Sequence, residues 1–232
     1  KSLRIDKEIT IRSRSENNAQ LVFTGEEHTP AFEMHPGGGI KLENLSIKGD
    51  FNNQLAFAPL DEHMSSSYKL SLDHCVIEDF TYVLKASKGS FADSIRVRNT
   101  AIRHCDNGIV LAAEELGDYN AEMVSFENCE FTNIKRNVIN FYRGGYDEST
   151  IGGFLTLSNS IFTACGENEN SGVLIKTTGI INVYITDNAF RNNPVKLVAV
   201  LWGAKNNHHS NNTLIQSGQI KVEEQQKLEL LY

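Results

Sequence analysis

One six-residue pattern recurs along the chain and constrains its fold more than any other feature: apolar, any, Asn (or His or Asp), any, any, apolar. It spans 42–47, 72–77, 97–102, 126–131, 157–162, 185–190 and, more weakly, 209–214. The anchors are Asn44, His74, Asn99, Asn128, Asn159, Asp187 and Asn211, with steps of 30, 25, 29, 31, 28 and 24. Self-similarity at a bounded period of this size marks a stacked repeat.

A second short apolar run follows each anchor by roughly ten residues, as in Ile109-Val-Leu111 and Val173-Leu-Ile175. A third usually precedes it, as in Tyr68-Lys-Leu70 and Phe154-Leu155. These runs are strand-length and rich in Val, Ile, Leu and Phe. Helical spacing is nearly absent before Glu223. Units this small bury their apolar faces only by stacking. The Leu-x-x-Leu-x-Leu run of leucine-rich repeats is missing, and helical repeats need helices. What remains is an all-β, right-handed parallel β-helix of about eight coils with three strands each. The seven anchors then read as corner residues and not as ligands. Asn tolerates left-handed backbone, and its amide can bond the residue stacked above or below.

The corners also account for an unusual composition, in which about one residue in ten is Asn. The 232 residues form one solenoid domain, 1–232. Residues 1–40 read as an atypical first coil and loop, loosest from Glu26 to Gly39. Residues 222–232 break the pattern and read as a tail or cap for the open sheet edge. The opening Lys1-Ser-Leu, without Met, reads as a chain excised from a larger two-domain protein. The net charge of −7 argues against a nucleic-acid partner, which needs clustered Lys and Arg. No stretch approaches the ~18 apolar residues of a membrane span. Cys75 and Cys129 lie one residue after an anchor, and Cys105 and Cys165 six after. Each pair is two coils, ~9–10 Å, apart. A disulfide needs Cα atoms within ~7 Å, so four free, mostly buried thiols are expected.

Two stretches narrow the repeat: 140–153, which begins Asn140-Phe-Tyr-Arg143, and 181–218, which contains Leu197-Val-Ala-Val-Leu-Trp202. Together these resemble the second, C-terminal β-helix of two-domain lyases of polysaccharide lyase family 6, the alginate lyase and chondroitinase B group. The resemblance covers nearly the whole chain. It implies a secreted or periplasmic protein whose partners are an N-terminal catalytic β-helix of the same chain and an acidic polysaccharide. In that family a Lys removes the C5 proton of a uronic acid, an Arg acts as acid, and Ca²⁺ neutralises the substrate carboxylate. Those groups belong to the N-terminal β-helix. The calcium group there is an Asn with two Glu spaced two apart, followed shortly by the Lys. Here Glu127 and Glu130 are three apart, Glu114 and Glu115 are adjacent, and Glu167 and Glu169 lie in a loop. No catalytic residue and no metal ligand carries over, and Ca²⁺ is expected only in the parent catalytic domain.

Substrate-binding or interdomain candidates are Tyr142, Arg143, Lys176, Lys196 and Trp202, on the outer side of one strand stack. Both faces of Leu197–Trp202 are apolar, which reads as a strand covered on both sides. Val198, Val200 and Trp202 are expected to look outward. His208-His209 reads as a turn. Two other classes stay open: a carbohydrate-binding module without catalysis, and a stand-alone lyase with an outer-groove site.

Overall fold

A computed structural model describes residues 2–14, 19–25, 27–51, 53–60, 64–112, 119–144, 151–167 and 172–223. The chain winds into a right-handed parallel β-helix. Each coil lays one strand into each of three sheets. One coil, for example, runs through Tyr68–Asp73, Val76–Glu78 and Tyr82–Lys85 before the next begins at Phe91. Sheet A has nine strands, from Leu3–Ile5 to Gln219–Glu223. Sheet B has eight, from Glu8–Arg12 to Asn206–Ser210. Sheet C also has eight, from Ala19–Val22 to Thr213–Ile215. The eight levels of sheet B are joined by about seven turns, close to the expected coil number. Among the described residues there is no helix.

The six-residue pattern has a direct structural meaning. Its first apolar position faces inward from sheet B, giving the row Leu42, Leu72, Val97, Phe126, Leu157 and Ile185. Its last faces inward from sheet C, giving Ile47, Ile77, Ile102, Phe131, Phe162 and Phe190. All twelve are fully buried. Phe131, Phe162 and Phe190 stack at 4.6 Å between ring centroids. The anchor between the two rows must turn the chain inside one residue. It does so with left-handed backbone: all seven anchors have φ between 49° and 58°.

The anchor amides link only part of the corner. Asn128 donates to Asn99 at 3.3 Å, and Asn211 donates to Asp187 at 3.0 Å. Asn99 donates to Asp73 at 3.0 Å, and His74 lies 2.9 Å from the same carboxylate. Partial burial raises the Asp73 pKa, but Asn99, Arg98 and His74 outweigh it and hold the carboxyl below its usual range.

The buried polar ladder sits one residue later and faces inside. Thr100 accepts the Cys75 N–H, Ser160 the Cys129 N–H, Asn188 the Ser160 N–H, and Asn212 the Asn188 N–H. Cysteine takes some rungs of this ladder, and all four thiols are free and buried. A second left-handed corner closes six of the eight sheet C strands, at Asp79, His104, Asn133, Ala164, Asn192 and Gln216.

The segment read as loose, Glu26 to Gly39, contains a sheet A strand, Pro30–Met34. Pro30 is its first residue, where a missing N–H is tolerated. The proposed tail lies largely outside the described residues, as do Glu114, Glu115 and Glu169.

Candidate functional site

The outer face of sheet A holds most of the candidates. Strand alternation and register place Lys85, Val110, Asn140, Lys176, Val200 and Lys221 in one outer row. Two residues further along the strands, Tyr142, Thr178, Trp202 and Glu223 form the next row. The Lys176 ammonium lies 5.5 Å from the Trp202 ring centroid, within cation–π range. Tyr142 is two coils from Trp202 in the same row, ~10 Å away. Its hydroxyl covers Gly144, where an added Cβ would come within 2.7 Å. Lys196 is exposed on the turn before Leu197–Trp202. It stands six residues from Trp202, ~20 Å along the strand.

Arg143 leaves this surface. Its side chain is 9% exposed and pairs with Glu122. The guanidinium also lies 5.0 Å from the Tyr119 ring centroid. It closes a pocket of about 390 Å³ with Phe91, Asp93, Tyr119 and Glu122, at the passage from sheet A to sheet B. Gly153, at φ 70°, leaves room for it, since a Cβ there would stand 3.3 Å from the arginine side chain. The structure therefore brings Lys176 and Trp202 together, aligns Tyr142 with them, and separates Arg143 and Lys196.

Two expectations, one about side-chain direction and one about a turn, are corrected. Val198 does not look outward: it is fully buried in the core, beside Leu174, where the strand leaves its corner. Val200 does face outward and is 5% exposed, flanked in its row by Lys176 and Lys221. His208 and His209 are not in a turn but in the strand Asn206–Ser210, paired with Asn182–Thr186. His208 bonds Ser210 at 3.1 Å.

The sequence reading missed the outer face of sheet B. A groove of about 720 Å³ crosses it along the solenoid axis, from Glu8 to Thr156. Its central row stands three residues before each anchor: Lys41, Ser71, Arg96, Ser125, Thr156, then Tyr184. Lys69 pairs with Glu8 at 2.8 Å, and Arg98 with Asp73 at 3.1 Å. Glu8 raises the Lys69 ammonium pKa by hydrogen bond and charge, with Arg96 working against it. Among the described residues Arg96 has no ion-pair partner.

Nowhere among the described residues do three His, Cys, Asp or Glu side chains converge as a metal site.

No family model and no curated protein matches the sequence. Solved structures do. The PL6 family alginate lyase AlyGC aligns with a TM-score of 0.67 at 20% identity, over 96% of this chain and 35% of that one. A mutant of AlyGC aligns with a TM-score of 0.69 at 20% identity, over 96% and 32%. The fold is that of PL6 alginate lyases. The sequence resemblance to the polysaccharide lyase 6 group is thereby met at the level of architecture. This β-helix spans about a third of the length of the lyase chains it matches.

Proposed function

We propose that this chain is an accessory β-helix domain of a secreted or periplasmic polysaccharide lyase that cleaves alginate or a related uronan by β-elimination. It supports a catalytic β-helix and borders one end of the substrate cleft. One observation carries this reading. The chain superposes over 96% of its length on about a third of an alginate lyase. One further feature supports it. Sheet A also presents an amphipathic outer face, with Val200, Trp202 and Lys176 adjacent. Such a face suits packing against a neighbouring domain.

The test is incubation of the 232-residue chain with alginate, chondroitin and pectin in the presence of Ca²⁺, following absorbance of the unsaturated product. No turnover is expected, and Ca²⁺-dependent turnover would overturn the accessory role. The Lys176–Trp202 pair favours a second reading, a carbohydrate-binding module, because a ring face held beside a cation can stack on sugar. Binding without turnover, abolished by Trp202→Ala, would select that reading.

A further inference from the structure

The outer face of sheet B carries a polar, recessed groove and an apolar patch that overlaps the last levels of the groove. Ser71 and Ser125 stand on either side of Arg96 in the central row, so the guanidinium rises between two short hydroxyl side chains. Lys41 keeps to Glu43 within its own strand, Lys69 to Glu8 and Arg98 to Asp73. Arg96 is the groove cation left without an acidic partner among the described residues.

The patch is apolar and exposed. Met123, Phe154 and Tyr184 are each 42% exposed on successive coils. Exposed apolar side chains gathered on one face of a soluble domain mark an interaction surface. Phe154 follows Met123 in one row, and Tyr184 follows Thr156 in the central row. The two rings therefore sit one coil and one row apart: Phe154 shares its strand with Thr156, at the last level of the groove, and Tyr184 lies one coil beyond.

We propose that this face is a glycan-binding site for a linear anionic polysaccharide, lying along the solenoid axis with a carboxylate on Arg96 and sugar rings on Phe154 and Tyr184. Lys41, Lys69, Arg96 and Arg98 against Glu8 and Glu127 leave the groove lining net positive, which favours an anionic polymer. The Arg96 guanidinium offers a fork that matches a carboxylate. The serine and threonine hydroxyls suit a polyhydroxylated chain. The coil rise of ~4.8 Å gives the groove a length of ~24 Å over six levels, enough for several pyranose units. The aromatic rings supply flat apolar area with little side-chain entropy to lose. The class of polymer rests on the polysaccharide reading above; the location of the site does not, and it lies on a different sheet from Lys176 and Trp202.

The test is isothermal titration of the 232-residue chain with alginate oligosaccharides, and with neutral cello-oligosaccharides as the control. Expected is saturable alginate binding that weakens about tenfold or more in Arg96→Gln, the loss of one charge-assisted contact. Arg96→Lys should recover part of it, and the Phe154→Ala/Tyr184→Ala double variant should weaken it comparably. Trp202→Ala should bind as wild type. Circular dichroism checks that each variant keeps the wild-type spectrum. Absence of alginate binding, equal binding of the neutral sugar, or unchanged affinity in Arg96→Gln overturns the proposal. So does loss in Trp202→Ala alone, although that outcome leaves the polysaccharide reading standing. A shift of oligomeric state in Phe154→Ala/Tyr184→Ala, seen by sedimentation without loss of alginate affinity, would make the face a protein interface and also overturn it.

Discussion

Asn188 and Asn212 stand one coil apart inside the solenoid, with the Asn188 amide donating to the Asn212 carbonyl oxygen at 3.0 Å. Asn188 also accepts the Ser160 N–H at 2.9 Å and donates to the Leu157 carbonyl at 3.1 Å. Its side chain thus satisfies two backbone groups of the preceding coil, and it is 2% exposed. Asn188→Ala leaves both without that partner. A loss of about 2–4 kcal/mol is expected, from one to two unsatisfied buried groups at ~1–3 kcal/mol each. Urea unfolding of the variant against wild type measures it.

The neighbouring anchor behaves differently. Asn159 precedes the buried ladder and holds φ 50°. Its contribution is conformational, since a left-handed backbone costs most L-residues about 1–2 kcal/mol. Asn159→Ala is expected to destabilise by about 1 kcal/mol, and Asn159→Gly by a few tenths or not at all, because glycine enters this region freely. A glycine variant as damaging as the alanine one would mean that the side chain, not the backbone, secures the corner. Thermal melts of the two variants decide it.

This contrast shows how far the fold can be read from sequence. The anchors announce themselves because Asn, Asp and His suit the left-handed corner, and the apolar residues on both sides fill rows of the core. The second corner stays hidden. Ala164 and Gln216 share its geometry with Asn133 and Asn192, so no single residue type marks it. The buried ladder is hidden for a similar reason, since its rungs run Cys75, Thr100, Cys129, Ser160, Asn188 and Asn212, four residue types in six positions. Side-chain direction is read correctly where a strand is regular, as at Lys176 and Trp202. It fails beside a corner, as at Val198, because alternation begins only after the turn. The sheet B groove was available as the position three before each anchor. Its serines, threonines and isolated Arg96 carry no motif until stacking sets them side by side.

Thr177 faces the core of sheet A between Phe141 and Leu201. Its hydroxyl is fully buried and has no hydrogen-bond partner among the described residues. Thr177→Val keeps the shape and removes the unpaired polar group. A gain of about 1 kcal/mol is expected. Tyr68 presents the same situation in sheet B. Its hydroxyl is buried without a partner among the described residues, and burial raises its pKa well above the ordinary phenol value. Tyr68→Phe should leave stability unchanged or raise it. A clear drop in the urea midpoint of either variant would reveal a partner for that hydroxyl.

Gly108 lies against the next coil, where an added Cβ would stand 2.1 Å from the Val138 carbonyl oxygen. The obstacle is backbone, which cannot swing aside as a side chain can. Moreover, that carbonyl accepts the Ile109 N–H at 2.9 Å. Gly108→Ala therefore has to spread two coils of sheet A or break the ladder. A loss of about 1–3 kcal/mol, the usual range for overpacking, is expected. Equilibrium unfolding checks this, and a neutral result would show that the coils are not clamped there.

The buried thiols make stability depend on pH in the alkaline range. Burial pushes Cys105 and Cys165 up to about 12 and Cys129 up to about 11, and it also raises Cys75. In the unfolded chain a thiol ionises near pH ~8.5. The folded state therefore keeps these protons at pH values where the unfolded state releases them. Their contribution is complete below about pH 8.5 and is lost as pH climbs towards the folded values of about 11 and 12. Each thiol contributes at most about 1.4 kcal/mol per pH unit to that decline. The urea midpoint should stay level around neutrality and fall above pH ~9, with a shallower fall in Cys105→Ala. Alkylation gives the parallel readout. At pH ~8 the buried thiols are protonated and shielded, so native protein should label slowly, whereas unfolded protein should take up label at all four cysteines. Rapid labelling of Cys105 or Cys165 in native protein would contradict the burial that sets this pH dependence.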